Sequence, residues 1–281
     1  MPPLNLQVTS ETGTLQAVVL GSVATFARHE PINTTQRHFY TTAFPRRDIM
    51  IKQQAGLVDV LEDRGVQIHW VESFVDAPQQ IFTRDIGTVI GDTLIIGAMK
   101  EPIRQREPQA LSDLSEKQAL PTIHVDAGVI EGGDIILDRD VLFVGRGERT
   151  NAAGTDWLQQ HFGDRFQIVA LDLIPPFLHL DVVFNLVGQN IAPIYPPAFT
   201  HAALGQLEQR FKTIPITKEE QFALASNVLS LSPQTVISEA RHERVNNLLQ
   251  VEGLEVIALD YSEIAKLGGS FRCSTCPLVR E

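Results

Sequence analysis

The sequence predicts an α/β fold in which five similar units close into a ring, all within one domain spanning residues 1–281. Two observations lead to this prediction. Hairpin-like segments recur at regular spacing, and most are followed by a helical segment and a short apolar strand. With 43% hydrophobic residues the chain can bury a full core. No low-complexity segment or long linker marks a boundary between domains.

Four apolar strand pairs are each joined by a tight polar turn, and β-branched residues around Gly, Asp and Asn turns are typical of hairpins. The turn centres, Asp92, Arg139, Gln189 and Pro233, are spaced by 47, 50 and 44 residues. Regular spacing of hairpins, rather than of single strands, favours the ring over an ordinary α/β sheet. The predicted pairs are 86–90 with 94–97, 134–137 with 141–145, 182–187 with 191–194, and 226–230 with 235–238.

Between the hairpins the hydrophobic period changes to that of a helix. The remaining unit lacks a hairpin of its own, so we expect strand 15–20 to pair with a strand at 270–272. Pairing the chain ends would close the ring and remove exposed sheet edges. Five units in 281 residues average about 56 residues each. The predicted helices lie near 53–64, 153–162, 203–211 and 245–249, and short strands follow at 66–70, 166–170 and 254–258.

Charge and composition exclude several classes of protein. The 34 acidic and 23 basic residues give a net charge of −11, without the basic footprint of a nucleic-acid binder or a membrane-surface protein. No apolar stretch reaches the roughly 20 residues of a membrane helix. The start at Met1-Pro2-Pro3 lacks the features of a signal peptide. Two cysteines form no disulfide framework, so we expect a cytoplasmic protein. The oligomeric state stays open, a homo-oligomer included.

Cys273 is the first candidate for catalysis. It follows the pair Gly268-Gly269, and the neighbouring Arg272 would favour a thiolate. The alternative is a buried structural cysteine. Cys276 completes a C-x-x-C, a spacing also found in redox and metal sites, but Pro277 follows at once and one pair is too few for a four-ligand zinc site. A further hypothesis is that oxidation joins the two cysteines and silences the protein.

Acidic side chains and a histidine stand at the predicted strand starts. His179 and Asp181 are two apart and would face the same side of a strand. Glu131 precedes a Gly-Gly pair that permits the close approach of a ligand or another strand, and Asp85 begins the first hairpin. A ring would bring these acids and Cys273 together at one end of its axis. Carboxylates pair with guanidinium groups, so the set fits a planar cation attacked by the thiol, with His179 as proton carrier.

Each of these motifs also has a structural interpretation. The H-x-D pattern is often a satisfied structural pair, and the segment after Glu131 could be an ordinary turn. His124 and Asp126 repeat the H-x-D one unit earlier. A metal site built from His124, Asp126, His179 and Asp181 is therefore an alternative, and it predicts loss of activity with a chelator. A non-catalytic guanidinium-binding protein is another.

Six short motifs, in order along the chain, resemble the guanidino-group-modifying superfamily of arginine deiminases, dimethylarginine hydrolases and amidinotransferases. The motifs are most similar to those of arginine deiminase and run from about residue 82 to the end. The resemblance implies a five-bladed α/β propeller of ββαβ units that needs no metal or organic cofactor. The motifs are Phe82–Asp85, Ile103–Glu107, Glu131–Asp134, Glu148–Thr150, His179–Phe184 and Gly268–Arg280.

The resemblance also implies a hydrolase that cleaves a C–N bond of arginine or an N-substituted arginine, giving citrulline or another ureido product. Cys273 would attack the guanidinium carbon and form a covalent thiouronium. Asp85 and Asp181 would hold the guanidinium nitrogens. His179, supported by Glu131, would protonate the departing amine and then activate water.

Arg104 and Arg149 match family arginines that contact the substrate carboxylate, with surface charge as the alternative role for each. Two departures from arginine deiminase limit the comparison. The chain is much shorter, and Lys266-Leu267 stands where an arginine precedes the nucleophile. An amidinotransferase, which passes the amidino group to an acceptor amine, is the alternative activity.

Overall fold

A computed structural model describes residues 4–281, and its strands form five small sheets with helices between them. The α/β class predicted from the sequence is confirmed. The expectation of no signal peptide was based on Met1-Pro2-Pro3, and this segment lies outside the described residues. The strands are β1 Leu15–Leu20, β2 Gln67–Trp70, β3 Gly87–Ile90, β4 Thr93–Ile96, β5 Thr122–His124, β6 Ile135–Asp138, β7 Val141–Arg146, β8 Gln167–Asp172, β9 Ile191–Ile194, β10 Lys212–Pro215, β11 Leu229–Ser232, β12 Thr235–Glu239, β13 Glu255–Leu259 and β14 Cys276–Arg280.

The helices alternate with the strands, and the longer ones connect the second and third strands of the sheets. No helix of residues 4–281 combines the length and apolar character needed to cross a membrane. The helices are α1 Thr34–Thr42, α2 Arg47–Asp63, α3 Thr83–Ile86, α4 Glu107–Gln118, α5 Ala152–Phe162, α6 His201–Arg210, α7 Lys218–Phe222, α8 Glu243–Val251 and α9 Ser262–Ala265.

Three of the sheets repeat the predicted unit of hairpin, helix and strand. In β3-β4-β5, β6-β7-β8 and β11-β12-β13 the first two strands are antiparallel, and the third joins the second in parallel. The first two of these tight turns rest on left-handed backbone, with φ of +63° at Gly91 and +56° at Arg139, as is typical of two-residue hairpin turns. The predicted hairpins in these units are confirmed, although β11 begins at Leu229 rather than at residue 226.

The two chain ends meet in the sheet β14-β1-β2, but not through the predicted residues. Strand β1 pairs with β14, which begins only at Cys276. The predicted partner strand at 270–272 is wrong. Residues 271–274 form a turn in which Ser274 N donates to Ser270 O at 3.0 Å. The backbone groups that a strand would offer to β1 bond instead within the turn and to Arg84 and Asn227.

The fourth unit departs most from the prediction. Strand β9 pairs in parallel with β10, whereas residues 182–187 form only isolated bridges at Phe184–Ile194 and Val187–Ile191. The continuous strand predicted over 182–187 is wrong. Pro193, in the middle of β9, has no N–H to donate to such a strand, and residues 180–182 form a 3₁₀ turn instead.

The segment before β1 ties several sheets together. Gln7 bridges Val279, Val8 bridges Gly91, and Ser10 bridges Asp138. Within residues 4–281 no strand belongs to two sheets and no sheet closes on itself. Four clusters of buried apolar side chains fill the spaces between the sheets and helices.

Candidate active site

Short turns immediately ahead of the strands carry the candidate residues. Asp85 lies in the single turn of α3, and Glu131 precedes a 3₁₀ turn at Gly132–Asp134. His179 precedes a similar turn that contains Asp181, and Cys273 lies in the turn before β14. His179 and Asp181 are therefore brought together by a 3₁₀ turn and not by strand alternation.

Hydrogen bonds connect these turns in sequence from unit to unit. Each bond joins the turn of one unit to the turn of a neighbouring unit, and the close packing of Gly132 on the carbonyl of Arg84 completes a circuit. The turns thus form a continuous rigid frame around one site. The bonds are Arg84 N to Cys273 O (3.0 Å), Cys273 N to Asn227 Oδ1 (3.1 Å), Asn227 Nδ2 to Asp181 O (3.3 Å) and Leu180 N to Asp134 Oδ1 (2.8 Å).

The Gly132-Gly133 pair is required by close packing around the site. A Cβ at Gly132 would stand 2.2 Å from the carbonyl oxygen of Arg84. A Cβ at Gly133 would stand 2.7 Å from His179 Nδ1 and 3.0 Å from Asp85 Oδ1. The absent side chains allow the histidine ring and the carboxylate of Asp85 to approach the backbone.

His179 is buried between two carboxylates. Its Nε2 lies 2.9 Å from Glu131 Oε2, and its Nδ1 lies 3.7 Å from Asp85 Oδ1. Burial alone would lower the pKa of His179, but the negative charges of Asp85 and Glu131 outweigh it and raise the pKa to about 9. The ring is therefore protonated at neutral pH and able to act as an acid.

Glu131 is the acceptor that holds His179. Burial would raise the pKa of Glu131, but its hydrogen bond to His179 and the positive charges of His179, Arg104 and Arg149 lower it to about 2. Asp134, next in the same turn, is dominated by burial, which raises its pKa to about 7. The pKa of Glu131 is therefore lowered, whereas that of Asp134, three residues further along, is raised.

The Cys273 thiol is buried among polar groups. Its Sγ lies 3.4 Å from Asp181 Oδ2 and accepts a hydrogen bond from Asn227 Nδ2 at 3.1 Å. Burial, with the negative charges of Asp181 and Asp85, raises the pKa of the thiol well above its ordinary value. Arg272 lowers the pKa of the thiol, as expected from the sequence, but burial and the two acids outweigh it. Its guanidinium also pairs with Asp181 at 2.8 Å and with Glu11 at 2.9 Å.

Arg104 and Arg149 are both buried and both paired with acids of the site. Arg104 contacts Asp85 Oδ2 at 2.7 Å and Glu107 Oε2 at 2.8 Å. Arg149 lies 3.4 Å from Glu131 Oε2 and donates to Ile32 O at 3.0 Å. The guanidinium of Arg104 therefore occupies one oxygen of the carboxylate that was assigned to the substrate.

Several buried polar atoms of the site have no hydrogen-bond partner within residues 4–281. Asp85 Oδ1, Asp181 Oδ1 and His179 Nδ1 are among them, as are Asp134 Oδ2 and Arg104 Nη2. Buried polar groups are nearly always paired, so unpaired atoms grouped beside a thiol suggest a place for a ligand. The cavity beside Cys273 has a volume of only about 10 Å³, about the space of one water molecule. A guanidinium group enters only if a lining side chain or loop moves.

The candidate metal ligands do not gather as the alternative hypothesis requires. His124 approaches Ser112, and Asp126 accepts a hydrogen bond from Trp157 at 2.7 Å. The potential ligand group found within the described part of the chain is Asp85, Glu131 and His179, whose ligand atoms lie within 4.8 Å of one another. The positive charge of Arg104 lies against two of these three, which opposes a cation there.

Two residues of the site were not identified from the sequence. The side chain of Asn227 accepts a hydrogen bond from the backbone N–H of Cys273 and donates one to its sulfur. It stands in the turn ahead of β11, the position that the other units fill with an acid or Cys273, so the repeat itself could have indicated it. Glu11 pairs with Arg272 and with Arg84 at 3.5 Å, and only the folded chain reveals this.

Cys276 faces away from the partners of Cys273. Its Sγ lies 3.4 Å from the carbonyl oxygen of Gly87, and burial raises the pKa of its thiol to about 11. Both cysteines are free thiols. The hypothesis of an oxidative link between them stays a prediction.

Comparison with known proteins gives sequence relatives along nearly the whole chain. A family model described as N,N dimethylarginine dimethylhydrolase, eukaryotic, matches residues 23–280. The uncharacterized protein YkgA of Bacillus subtilis (strain 168) is 38% identical over 275 residues, 96% of this chain and 94% of YkgA. Arginine deiminase of Bacillus cereus (strain ATCC 10987 / NRS 248) is 26% identical over 288 residues, 84% of this chain and 69% of the enzyme.

Among solved structures, SxtG has a similar fold. It is described as an amidinotransferase from Microseira wollei in the saxitoxin biosynthetic pathway. The TM-score is 0.84 at 20% identity, covering 98% of this chain and 97% of SxtG. At that identity the likeness concerns the fold alone.

Proposed function

The chain belongs to the N,N dimethylarginine dimethylhydrolase family, which confirms the predicted membership of the guanidino-group-modifying superfamily, and from this premise we propose that it is a cysteine-dependent hydrolase. It cleaves a C–N bond of a guanidino substrate, with arginine or an N-substituted arginine as the first candidate and citrulline or another ureido product. The observation that carries the proposal is the group of unpaired buried atoms on Asp85, Asp181 and His179 beside the Cys273 thiol.

The proposed architecture is a single-domain, five-bladed propeller in which each small sheet is one blade. The circuit of hydrogen bonds between successive turns supports it, as does the pairing of the two chain ends in one sheet. Such a ring places one turn from each blade at a common centre, which explains why residues far apart in sequence share one site.

In the proposed reaction, Asp85 and Asp181 bind the guanidinium nitrogens through their unpaired oxygens. The cationic substrate would lower the pKa of the Cys273 thiol, because it offsets the two negative charges that raise that pKa. The thiol then releases its proton to the solvent, and the thiolate forms a bond to the guanidinium carbon. As the C–N bond breaks, His179 gives its proton to the departing amine, and a thiouronium remains on Cys273.

The second half of the reaction reverses the role of His179. The ring, now neutral, takes a proton from water, and the hydroxide attacks the thiouronium carbon. The C–S bond then breaks while the hydroxyl proton of the intermediate passes to the leaving sulfur, which releases the ureido product and restores the thiol. Glu131, with its pKa near 2, stays ionised throughout and stabilises the protonated ring.

The two buried arginines retain the proposed role of contacting the carboxylate of an amino-acid substrate. For Arg104 this requires a movement, because its guanidinium now contacts Asp85 Oδ2 and Glu107. A substrate guanidinium that binds Asp85 would release Arg104 from that oxygen. Glu107, whose pKa burial raises to about 7, would be left as its remaining close partner.

The test measures ureido product from arginine, methylated arginines and agmatine with the wild-type chain and Cys273→Ser. We expect turnover only with the wild type, while calorimetry detects substrate binding to both. Unchanged turnover by Cys273→Ser would exclude the covalent mechanism. Binding without turnover by either protein would indicate a non-catalytic binding role. Acceptor amines that replace the ureido product with an amidinated amine would indicate a transferase.

A further inference from the structure

The two oxygens of the Asp181 carboxylate have different surroundings. Oδ2 lies 2.8 Å from Arg272 Nη1 and 3.4 Å from Cys273 Sγ. Oδ1 is buried and has no hydrogen-bond partner within residues 4–281. Because the carboxylate is planar, a contact that holds Oδ2 also restricts the direction in which Oδ1 points. Arg272 therefore lies where it can orient the oxygen that the proposed reaction uses to bind a guanidinium nitrogen.

The guanidinium of Arg272 is itself held from several sides. The residue is 1% exposed. Its Nε and Nη2 donate to the two carboxylate oxygens of Glu11 at 3.2 and 2.9 Å, and Nη2 also donates to the carbonyl oxygen of Ile135 at 2.7 Å. Such a bidentate pair fixes the plane of the guanidinium. Turning Nη1 away from Asp181 would break these other contacts as well.

Glu11 is well placed to anchor this arginine. It precedes β1, in the segment that bridges several sheets, and its backbone N–H donates to Leu137 O at 2.9 Å. Burial would raise the pKa of Glu11, but the positive charges of Arg272 and Arg84 outweigh it and lower the pKa to about 2. Glu11 is therefore an ionised acceptor at neutral pH.

The contacts of Arg272 are divided unequally between its two acids. Glu11 takes the bidentate pair, whereas Asp181 receives a single short contact at Oδ2. A bidentate pair with Asp181 would occupy both of its oxygens and leave neither for a ligand. Anchoring by Glu11 thus allows Arg272 to hold Asp181 through one oxygen while the other stays available.

We propose that Arg272 is a positioning residue that fixes Asp181 for substrate binding, and that Glu11 acts through Arg272 by holding its guanidinium. This inference rests on the proposed function and adds two residues that do not touch the substrate. Asp181 would bind the guanidinium in the substrate and in the transition state alike. A misplaced Asp181 should therefore raise KM more than it lowers kcat.

The first test is Arg272→Lys, which retains the positive charge but loses the planar fork that reaches Asp181 and Glu11 together. For whichever of arginine, methylated arginines and agmatine the wild type turns over best, we expect KM to rise about tenfold and kcat to fall less than about threefold. Arg210→Lys is the matched control. Arg210 pairs with Asp138 at 2.8 and 3.0 Å, away from the site, so KM should not change. A wild-type KM in Arg272→Lys would overturn the inference.

The second test asks whether Glu11 acts through Arg272. Glu11→Gln keeps the shape of the side chain and removes its charge, and we expect KM to rise about threefold or more. The double variant with Arg272→Lys should have about the KM of Arg272→Lys alone, because both substitutions weaken the same link. Effects on KM that multiply would show that Glu11 acts independently. If Arg272→Lys does not fold, a wild-type KM in Glu11→Gln overturns the inference by itself.

If the wild type turns over no guanidine, the proposed hydrolase fails and the orientation of Asp181 decides the inference. Crystal structures of the wild type and of Arg272→Lys, grown at one pH, then provide the comparison. We expect the Asp181 carboxylate to turn by more than about 30° in the variant, beyond the ordinary spread of a side-chain conformer. Glu11→Gln replaces Arg272→Lys if the latter does not fold. An Asp181 carboxylate with the same orientation in both structures would overturn the inference.

Discussion

The cavity beside Cys273 and a second cavity of about 610 Å³, here called the vestibule, meet at Asn33, Leu178 and Gly268, yet they are built differently. The cavity beside Cys273 is nearly filled and surrounded by buried charges held in short, directional contacts. The vestibule is roomy and lined by aromatic and apolar side chains of loops and of α7. The difference suggests that the frame of turns performs the proposed chemistry, while the vestibule has room for the part of a substrate beyond its guanidino group.

The largest effect is expected from the proton carrier of the cavity. His179→Gln removes the acid that protonates the leaving amine, and we expect kcat to fall about 10³-fold for every guanidine. A fall in kcat that differed between guanidines with different far ends would contradict the assignment of His179 as the proton carrier. Steady-state rates with propylguanidine and its phenyl derivative provide the comparison.

The pH dependence of His179 has a definite sign. Its pKa is raised from the ordinary 6.5 to about 9, so the acid form is present below pH 9 and is lost as the pH rises through that value. The contribution of this ring to stability is likewise fully present below about pH 6.5 and is lost as the pH rises through about 9. We expect the thermal midpoint to decline between about pH 6.5 and 9 and kcat/KM to decline as the pH rises through about 9. His179→Gln should lack this decline in its midpoint.

The next effect concerns the packing that shapes the cavity. Gly133→Ala would press a methyl group against His179 Nδ1 and Asp85 Oδ1, and a displacement near 1 Å costs about a hundredfold in rate. The matched control is Gly56→Ala in α2, where an added Cβ meets nothing within 4 Å. We expect the control to keep full activity and to gain about 0.5–1 kcal/mol of helix stability. Equal rates for the two variants would contradict the close-packing argument.

A smaller effect is expected at Asn227, as a positioning residue for Cys273. Asn227→Ala removes the donor to the sulfur and the acceptor for the backbone of Cys273, and we expect kcat to fall about tenfold to a hundredfold. Alkylation of Cys273 at varied pH, measured in a Cys276→Ser background, should reveal a higher thiol pKa.

The control for this substitution is Asn246→Ala. Asn246 is also buried and bonds a backbone carbonyl, that of Glu239, away from the site. It should lower stability without altering alkylation of Cys273. If the pH dependence of Cys273 alkylation were the same in Asn227→Ala as in the wild type, Asn227 would have only a structural role.

The smallest effect tests the cysteine pair. If oxidation joins Cys273 to Cys276, mild oxidants should abolish activity of the wild type reversibly, and Cys276→Ser should be protected from that reversible loss. The different partners of the two thiols, Asp181 for one and Gly87 for the other, require the turn to rearrange first. Full activity after oxidation, with both thiols still titratable, would end the hypothesis.

The turns that carry the candidate site could largely be located from the sequence because repetition marks them. Hairpins such as β3-β4 and β6-β7 follow from β-branched runs around tight turns, and their spacing identified the equivalent acids. What failed depended on single residues acting in three dimensions. Pro193 interrupts the ladder of the fourth unit, and the turn at residues 271–274 displaces the last strand to Cys276.

The vestibule could not be predicted in the same way. Although Glu148, Val182 and Gly268 of its lining belong to the motifs, most of its walls come from α1, α7 and the loop around Phe177, which share no repeat. The pairing of Arg104 with Asp85 also could not be predicted from the sequence, because a motif shows which residues are present and not which of them form an ion pair. Asn227 lies between these cases, since its position in the repeat was visible but its amide type was not expected to matter.

The most direct test of the central claim is mass spectrometry of the protein quenched rapidly during turnover of a guanidine substrate. We predict a thiouronium adduct on the peptide that contains Cys273, located on that residue and absent from Cys273→Ser. An adduct that retains the substrate body would mean that ammonia leaves, and a bare amidino group would mean that the larger amine leaves. Turnover without any adduct on Cys273 at the shortest quench times, or an adduct on Cys276 alone, would contradict the account.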